Sequence, residues 1–423
     1  MVNGCITLTL GNKATNGTVI DLPYSKSISN RLLIINFLSG KDIASRENFS
    51  DADDTELLYN ILQHVKYKTE NSFHCKNAGT STRFLIALLS LCEGTWYLNA
   101  DRRMQQRPLL PLIEILTRLG ADINVAGNGK IFPLRICGKK LQCTQTIKTD
   151  CTLTSQIVSA LLLISPYLEN GMKILLPENQ SSVSYINMTI SAVNAFNGNI
   201  TKVNNLLISK PSQYKFRDIA TEWDYPSACF FYLYTAVGKL TNLRINHLHP
   251  SSLQGESIAG ELFLKLGVET VFDSFGAILN YNETLIDPNA ELVFDTGDCP
   301  DIFIALATAC FLSGRKTTIT NLAPQRLKES DRLSSTVKEL NKAENRCSII
   351  GDSLFIEKRT ALNCNKNLKE SVICFSSYND HRIAMALCAF AFVCKRIEID
   401  NPSCTEKSFP HFWEQAEKLF VLN

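Results

Sequence analysis

Six stretches of the chain are apolar almost without a break, and each opens directly after a cluster of polar residues. They begin near Arg31 (RLLIINFLSG), Arg83 (RFLIALLSLCEG), Gln156 (QIVSALLLISPYL), Ala228 (ACFFYLYTAVG), Ile302 (IFIALATACFLSG) and Ile383 (IAMALCAFAFVC). The starts lie 52, 73, 72, 74 and 81 residues apart, so six copies of one unit account for the whole length. A helix that is apolar all round is buried on every side. Between the copies runs a second, amphipathic helix that closes on glycine, the usual helix terminator. LIEILTRLG ends at Gly120, ISAVNAFNG at Gly198 and GELFLKLG at Gly267, steps of 78 and 69 residues. Short β-branched runs broken by a turn follow, as in ADINVAGNGKIFPLRI. The predicted unit is strand, apolar helix, strand, amphipathic helix and a strand pair. Six of them make two α/β domains of three units each, helices inside and sheets outside, dividing near residue 222.

Composition narrows the classes. Of 423 residues, 45% are hydrophobic and 20% charged, as in soluble globular proteins. Net charge is only +2, from 43 basic and 41 acidic residues, without the basic excess of a nucleic-acid binder. The fifteen cysteines form no CxxC pair, and Cys310, Cys388 and Cys394 sit within apolar runs. They read as reduced, small hydrophobes. No basic-then-apolar leader is visible in MVNGCITLTL, and apolar runs stop at roughly a dozen residues, short of the roughly 20 that span a membrane. A soluble, cytoplasmic protein is expected.

The polar clusters carry the chemistry. They are SKSISNR (25–31), NAGTSTR (77–83), TSQ (154–156), DYPS (224–227), DCPD (298–301) and YNDHR (378–382). Each is expected at a helix N-terminus, where free N–H groups and the dipole favour anions. Taken singly, TSQ and DYPS read as plain N-caps. Cations oppose the dipole, so Lys26, Arg31, Arg83 and Arg382 at these starts imply an anionic ligand between them. RRMQQRP adds Arg107, RLKESDR adds Lys328 and Arg332, and CTEKSFP adds Lys407. A carboxylate held among cations stays ionised and can act as a base, and a lysine beside an anion or a histidine can donate a proton. Asp301, Glu329, Asp380 and His381 share these loops. Salt bridging within their own segment is the plain alternative for Glu329 and Asp331. His247 and His249 form HxH without a third candidate ligand nearby, so no metal is expected.

SKSISNR, NAGTSTR, RRMQQRP, TSQ, RLKESDR, YNDHR and CTEKSFP, in this order from about Leu22 to Phe412, resemble the EPSP synthase (3-phosphoshikimate 1-carboxyvinyltransferase) family. That resemblance implies a two-domain inside-out α/β barrel, each domain of three βαβαββ units with buried helices. It implies domains of 1–22 plus 223–423 and of 23–222, with the active site in the interdomain cleft. Eight cations split between the halves should then repel when the cleft is empty and close around ligand. The implied reaction transfers the enolpyruvyl group of phosphoenolpyruvate to the 5-hydroxyl of shikimate 3-phosphate in the shikimate pathway, with no cofactor, by a monomer. Glyphosate would compete at the phosphoenolpyruvate site.

Family roles transfer by position. Lys26, Ser27, Arg31, Thr154, Ser155, Gln156, Ser182, Tyr185, Asp301 and Lys328 resemble the shikimate 3-phosphate site. Lys26, Asn77, Gly79, Arg107, Gln156, Arg332, Arg382 and Lys407 resemble the phosphoenolpyruvate site. Asp301, Glu329, Lys26 and His381 resemble the catalytic groups, with Asp301 taking or orienting the hydroxyl proton and Lys26 or Glu329 protonating the methylene carbon. Four positions depart from the family pattern: Tyr24 stands for a small residue, Lys76 for glycine, Thr154 for serine, and Pro324 where some members have a substrate-touching asparagine. A UDP-N-acetylglucosamine enolpyruvyl transferase is the nearest rival, but its usual cysteine is missing from RRMQQRPLL. A noncatalytic phospho-ligand-binding protein on the same scaffold would be expected to lose Asp301 or Glu329, and both are present.

Overall fold

The computed structural model describes residues 4–11, 17–41, 47–149, 154–360 and 367–423. The chain divides into two compact units, residues 24–222 and residues 1–23 with 223–423. In the first, α1 (Lys26–Leu38), α3 (Gly79–Leu89) and α5 (Gln156–Ile164) are the apolar helices. They alternate with α2 (Asp53–Tyr67), α4 (Leu110–Arg118) and α6 (Val183–Ala195). Helices α1, α3 and α5 pack on one another in a core that includes Leu33, Phe84, Leu85, Leu161 and Leu163. Full burial of each such side chain stabilises by about 1.5–3 kcal/mol.

Strands Ser72–His74, Gly94–Asn99, Leu134–Gly138 and Asp122–Asn124 lie in that spatial order. The first pair is parallel and the others antiparallel. This is the predicted βαβαββ unit, its fourth strand inserted between second and third. Ile147–Lys148, Met172–Leu175, Leu206–Ser209 and Ile200–Val203 repeat it. No complete sheet accompanies α1 and α2 among the described residues.

The other unit holds the apolar helices α7 (Tyr225–Gly238), α9 (Phe303–Ser313) and α11 (His381–Leu387). They alternate with α8 (Ala259–Leu264), α10 (Arg332–Ala343) and α12 (Phe412–Ala416). Its core is again continuous, with Phe230, Phe231, Phe303, Leu306 and Phe390 fully buried. The N-terminal residues complete two of its three sheets. Val19–Ile20 pairs parallel with Leu243–Asn246, and Cys5–Leu10 lies between Arg396–Asp400 and Phe420–Leu422. The third sheet, Leu292–Asp295, Thr317–Thr320, Ser353–Ile356 and Cys347–Ile350, repeats the same pattern.

Four of the six apolar helices start earlier than their hydrophobic runs: α1 at Lys26 rather than Arg31, α3 at Gly79 rather than Arg83, α7 at Tyr225 rather than Ala228, α11 at His381 rather than Ile383. Hydrophobicity marks only the turns packed between sheets. The first turn is polar, yet its backbone is already helical. Gly120 and Gly267 end their helices with φ of 100° and 85°, but Gly198 does not, because Asn197 takes the left-handed position at φ 74°. A Cβ on Gly198 would come within 2.1 Å of Val193 Cγ1, so packing rather than dihedral requires glycine there. The described cysteines are free thiols, and burial pushes Cys75 and Cys310 up to about 12; Cys151 and Cys364 lie outside the described residues. Among those residues no helix is long and apolar enough to cross a membrane.

Lys76, where the family pattern has glycine, adopts φ 48° in the turn before α3. A left-handed conformation costs an L-residue roughly 1–2 kcal/mol, partly offset by the larger chain entropy that glycine loses on folding. Lys76→Gly is therefore expected to stabilise by roughly 0.5–1 kcal/mol. The urea midpoint reads it, and an unchanged or lower midpoint would show that the turn carries no strain.

Candidate active site

In the unit of residues 24–222, the polar first turns of α1, α3 and α5 meet two loops. Arg83 is fully buried and reaches back along its own helix. Its Nη1 donates to Gly79 O at 3.0 Å and to Gln156 Oε1 at 2.7 Å, and its Nε and Nη2 donate to Pro108 O. Gln156, the first residue of α5, donates from Nε2 to Thr80 Oγ1 at 3.0 Å. Thr154 Oγ1 accepts the Gln156 N–H, and buried Ser155 precedes it at the cap position. Arg107 lies directly over Gly79, where a Cβ would fall 2.4 Å from its Cζ, and donates weakly to Asn77 O at 3.4 Å. Asn77, Gly79, Arg83, Arg107 and Gln156 therefore form one connected cluster.

Arg31 makes a second cluster. Its Nη1 donates to Ser27 O at 2.6 Å, its Nε to Thr189 Oγ1 at 2.7 Å, and its Nη2 to Ser159 Oγ and Tyr185 O, each at 3.2 Å. Its guanidinium also faces the rings of Phe84 and Tyr185. Burial pulls Arg31 down to about 10, with Tyr185 opposing that shift. Ser182, buried before α6, holds φ 56°. Lys26 Nζ pairs with Asp54 Oδ2 at 3.1 Å. Arg31 and Arg83, expected at the helix starts, take protein oxygens as partners. Both sit a turn inside their helices, and carbonyl and side-chain oxygens hold them.

The other unit builds an ion cluster on Arg332, whose side chain is 2% exposed. Its Nε donates to Asp380 Oδ2 at 2.8 Å and its Nη2 to Asp380 Oδ1 at 3.2 Å. Nη1 reaches Asp301 Oδ1 at 3.1 Å and Nη2 also reaches Glu329 Oε2 at 3.0 Å. Arg382 Nη2 donates to Asp301 Oδ2 at 2.8 Å, and Lys328 Nζ stands 3.7 Å from Asp301 Oδ1. Asp380 also caps α11 by accepting the Arg382 N–H, and takes the Ser330 hydroxyl at 3.0 Å. Buried His381 has Nδ1 3.9 Å from Asp380 Oδ1. Lys407 ends the short helix Pro402–Lys407, which packs against α11.

Burial works to raise the Asp301 carboxyl, but Arg382, Lys328 and Arg332 outweigh it and hold Asp301 well below the usual carboxylate range. Arg332 is pushed the other way: burial lowers it, while Asp380, Glu329 and Asp301 raise it further. Glu329 does bridge within its own segment, at i,i+3 to Arg332, but that bridge also joins it to Asp301 and Asp380. Asp331 instead caps α10 through Ser334 and faces Arg326. Asp224 caps α7 through Ser227. Sequence reasoning missed Asp54 as the partner of Lys26, and Asp380 as the anchor of Arg332. A run of acids in DADD looks like ordinary first-turn charge, and Asp380 stands among the cations of its loop, but only neighbours in space reveal the pairings.

The arrangement of buried helices and outer sheets is the enolpyruvyl transferase fold. The enolpyruvyl transferase NikO from Streptomyces tendae matches over 99% of this chain and 98% of its own, at 14% identity and TM-score 0.72. An EPSP synthase from Acinetobacter baumannii matches over 99% of each chain, at 19% identity and TM-score 0.70. Sequence is more specific: the chain belongs to the EPSP synthase (3-phosphoshikimate 1-carboxyvinyltransferase) family, whose pattern matches residues 10–416. A 3-phosphoshikimate 1-carboxyvinyltransferase from Bacteroides fragilis (strain YCH46) is 34% identical over 407 residues, 94% of each chain. Another, from Proteus mirabilis (strain HI4320), is 30% identical over 429 residues and 95% of each.

A depressed folded value means that Asp301 contributes stability above its unfolded value of about 3.9, and that this contribution is lost as pH falls further. Asp301→Asn should therefore lower the urea midpoint at pH 5–8 by a constant amount, the gap to wild type closing below about pH 4. Equal midpoints at neutral pH would show that the three cations do not depend on Asp301.

Proposed function

We propose that this chain transfers the enolpyruvyl group of phosphoenolpyruvate to the 5-hydroxyl of shikimate 3-phosphate, releasing phosphate, as a cytoplasmic monomer in which both units supply residues to one reaction. Family membership across residues 10–416 carries the proposal. The cation–carboxylate cluster around Asp301 supports it, because this chemistry needs positive charge and an ionised acid together. A UDP-N-acetylglucosamine acceptor is the rival. A coupled phosphate-release assay with each acceptor separates the two, and release with the sugar nucleotide alone would overturn the proposal.

In the proposed reaction, Ser27, Arg31, Thr154, Ser155, Gln156, Ser182 and Tyr185 bind shikimate 3-phosphate, and Arg31 also ties Ser27 to Tyr185. Asn77, Gly79, Arg107, Arg332, Arg382 and Lys407 bind phosphoenolpyruvate. Lys26 and Gln156 serve both, and Asp301 and Lys328 also contact shikimate 3-phosphate. Asp301 takes or orients the 5-hydroxyl proton while Lys26 or Glu329 protonates the methylene carbon, and the hydroxyl oxygen bonds to C2. The tetrahedral adduct then returns a proton from its new methyl group and expels phosphate. The cations stabilise the charge that develops on the leaving group. His381, buried beside Asp380, is the remaining catalytic candidate. No step calls on a cofactor.

Asp301→Asn is expected to lower turnover by about two to four orders of magnitude while shikimate 3-phosphate still binds. Turnover assays beside calorimetric binding test this, and near-normal turnover would remove Asp301 from the mechanism. Gly79→Ala acts on Arg107, whose guanidinium lies 2.4 Å from the added methyl and must move. The expected result is a rise of roughly tenfold in KM for phosphoenolpyruvate and in the glyphosate inhibition constant, the size of one lost charged hydrogen bond. KM for shikimate 3-phosphate should stay within about twofold. If neither phosphoenolpyruvate nor glyphosate responds, Arg107 is not at that site.

A further inference from the structure

Residues 376–380 lead into His381 and Arg382, and the backbone there is unusual. Tyr378 and Asn379 are successive left-handed residues, with φ of 54° and 56°, and neither is glycine. Each costs on the order of 1 kcal/mol or more, and such a conformation persists only where its surroundings over-determine it. Helix α10 supplies part of that determination. Arg332 and Glu339 are seven residues apart, two turns on one helical face. Arg332 grips Asp380 at one end of the segment. At the other end Glu339, fully buried, accepts the Tyr378 hydroxyl on Oε1 at 2.7 Å and the Ser376 N–H on Oε2 at 2.9 Å. Lys342 Nζ, 2.6 Å from Oε2, neutralises it. A second carboxylate, Asp400, takes the Ser377 N–H at 2.6 Å and the Ser376 hydroxyl at 2.8 Å.

We infer that Glu339 is a positioning residue for the enolpyruvyl-transfer site: by holding Tyr378 and the Ser376 amide, it fixes the strained turn that aims Asp380 and Arg382. The segment could not keep two left-handed residues by local preference alone. A neutral residue at position 339 would leave a partly buried N–H and hydroxyl without their charged acceptor. The turn would relax, and Arg382 would lose its register against Asp301. Glu339 touches none of the groups proposed to meet substrate, so its effect must travel through the turn. This inference rests on the proposed placement of Arg382 at the phosphoenolpyruvate site.

The test uses the full chain with Tyr378→Phe, Glu339→Gln and the pair together. Initial rates are measured against each substrate in turn, with thermal unfolding of the same samples. Tyr378→Phe removes one hydroxyl from a half-buried ring and should fold. It should lower kcat/KM for phosphoenolpyruvate about tenfold, as expected for one hydrogen bond to a charged acceptor, with KM for shikimate 3-phosphate within about twofold. Glu339→Gln should lose at least as much. The double variant should lose little beyond Glu339→Gln, because both changes break one bond. Wild-type phosphate release that depends on both substrates establishes the reaction independently. If wild type is active and Tyr378→Phe leaves kcat/KM for phosphoenolpyruvate within twofold, the inference fails, whatever happens to stability. It also fails if both substrates lose equally in proportion to unfolded protein. Should Glu339→Gln not fold, Tyr378→Phe alone decides.

Discussion

Arg332 gives up nearly all its contact with water, and a guanidinium can do so only where acceptors in fixed geometry take its N–H groups. Three carboxylates supply them. Asp380 binds through both its oxygens, while Asp301 and Glu329 each add one bond. The acids come from three separate elements: the turn before α9, the loop before α10 and the cap of α11. One buried cation therefore sets the relative positions of three helix starts. The helices themselves supply only an apolar surface, which specifies burial but not register. Register at the site comes from charge.

The unit of residues 24–222 solves the same problem with neutral groups. Arg31 and Arg83 are as deeply buried as Arg332, yet carbonyl, hydroxyl and amide oxygens hold them. The repeat explains how. Each apolar helix opens on a polar turn, so an arginine four residues inside it meets the carbonyl of that turn, as Arg31 does at Ser27 and Arg83 at Gly79. One local device serves both helices, and each arginine then reaches across to α5 or its neighbour. The same βαβαββ unit thus produces a neutral clamp in one half and an ionic clamp in the other.

That difference separates what the sequence tells from what it hides. Repeat period, burial of the six helices and strand pairing follow from hydrophobic spacing, which depends on residues adjacent in the chain. The cations were visible because Lys and Arg are conspicuous at helix starts. Their partners were not. Asp54 reads as a first-turn acid, Asp380 as an N-cap and Glu339 as one more charge on an amphipathic helix. Asp301, Glu329 and Asp380 do stand in the cation loops, so what stays hidden is which acid meets which cation. Helix starts were misplaced for a related reason: the turns that carry function are those that hydrophobicity does not mark.

Asp301 shows why the charges are arranged as they are. Without ligand it is held by three cations, and a carboxyl so depressed is a poor proton acceptor. Proton affinity and cation contact are inversely linked. Any anion that draws Arg382 or Lys328 toward itself removes one of the causes holding the Asp301 carboxyl down. Arg332 is different. Asp380 and Glu329 hold it as well as Asp301 does, so three carboxylates oppose its movement toward an incoming anion. Within the cluster Arg332 bridges three carboxylates, while Arg382 and Lys328 meet at Asp301. In the proposed reaction a basic carboxylate and an anion site would then arise together, as the anion draws a cation from Asp301, while Arg332 with Asp380 keeps the helix starts in place.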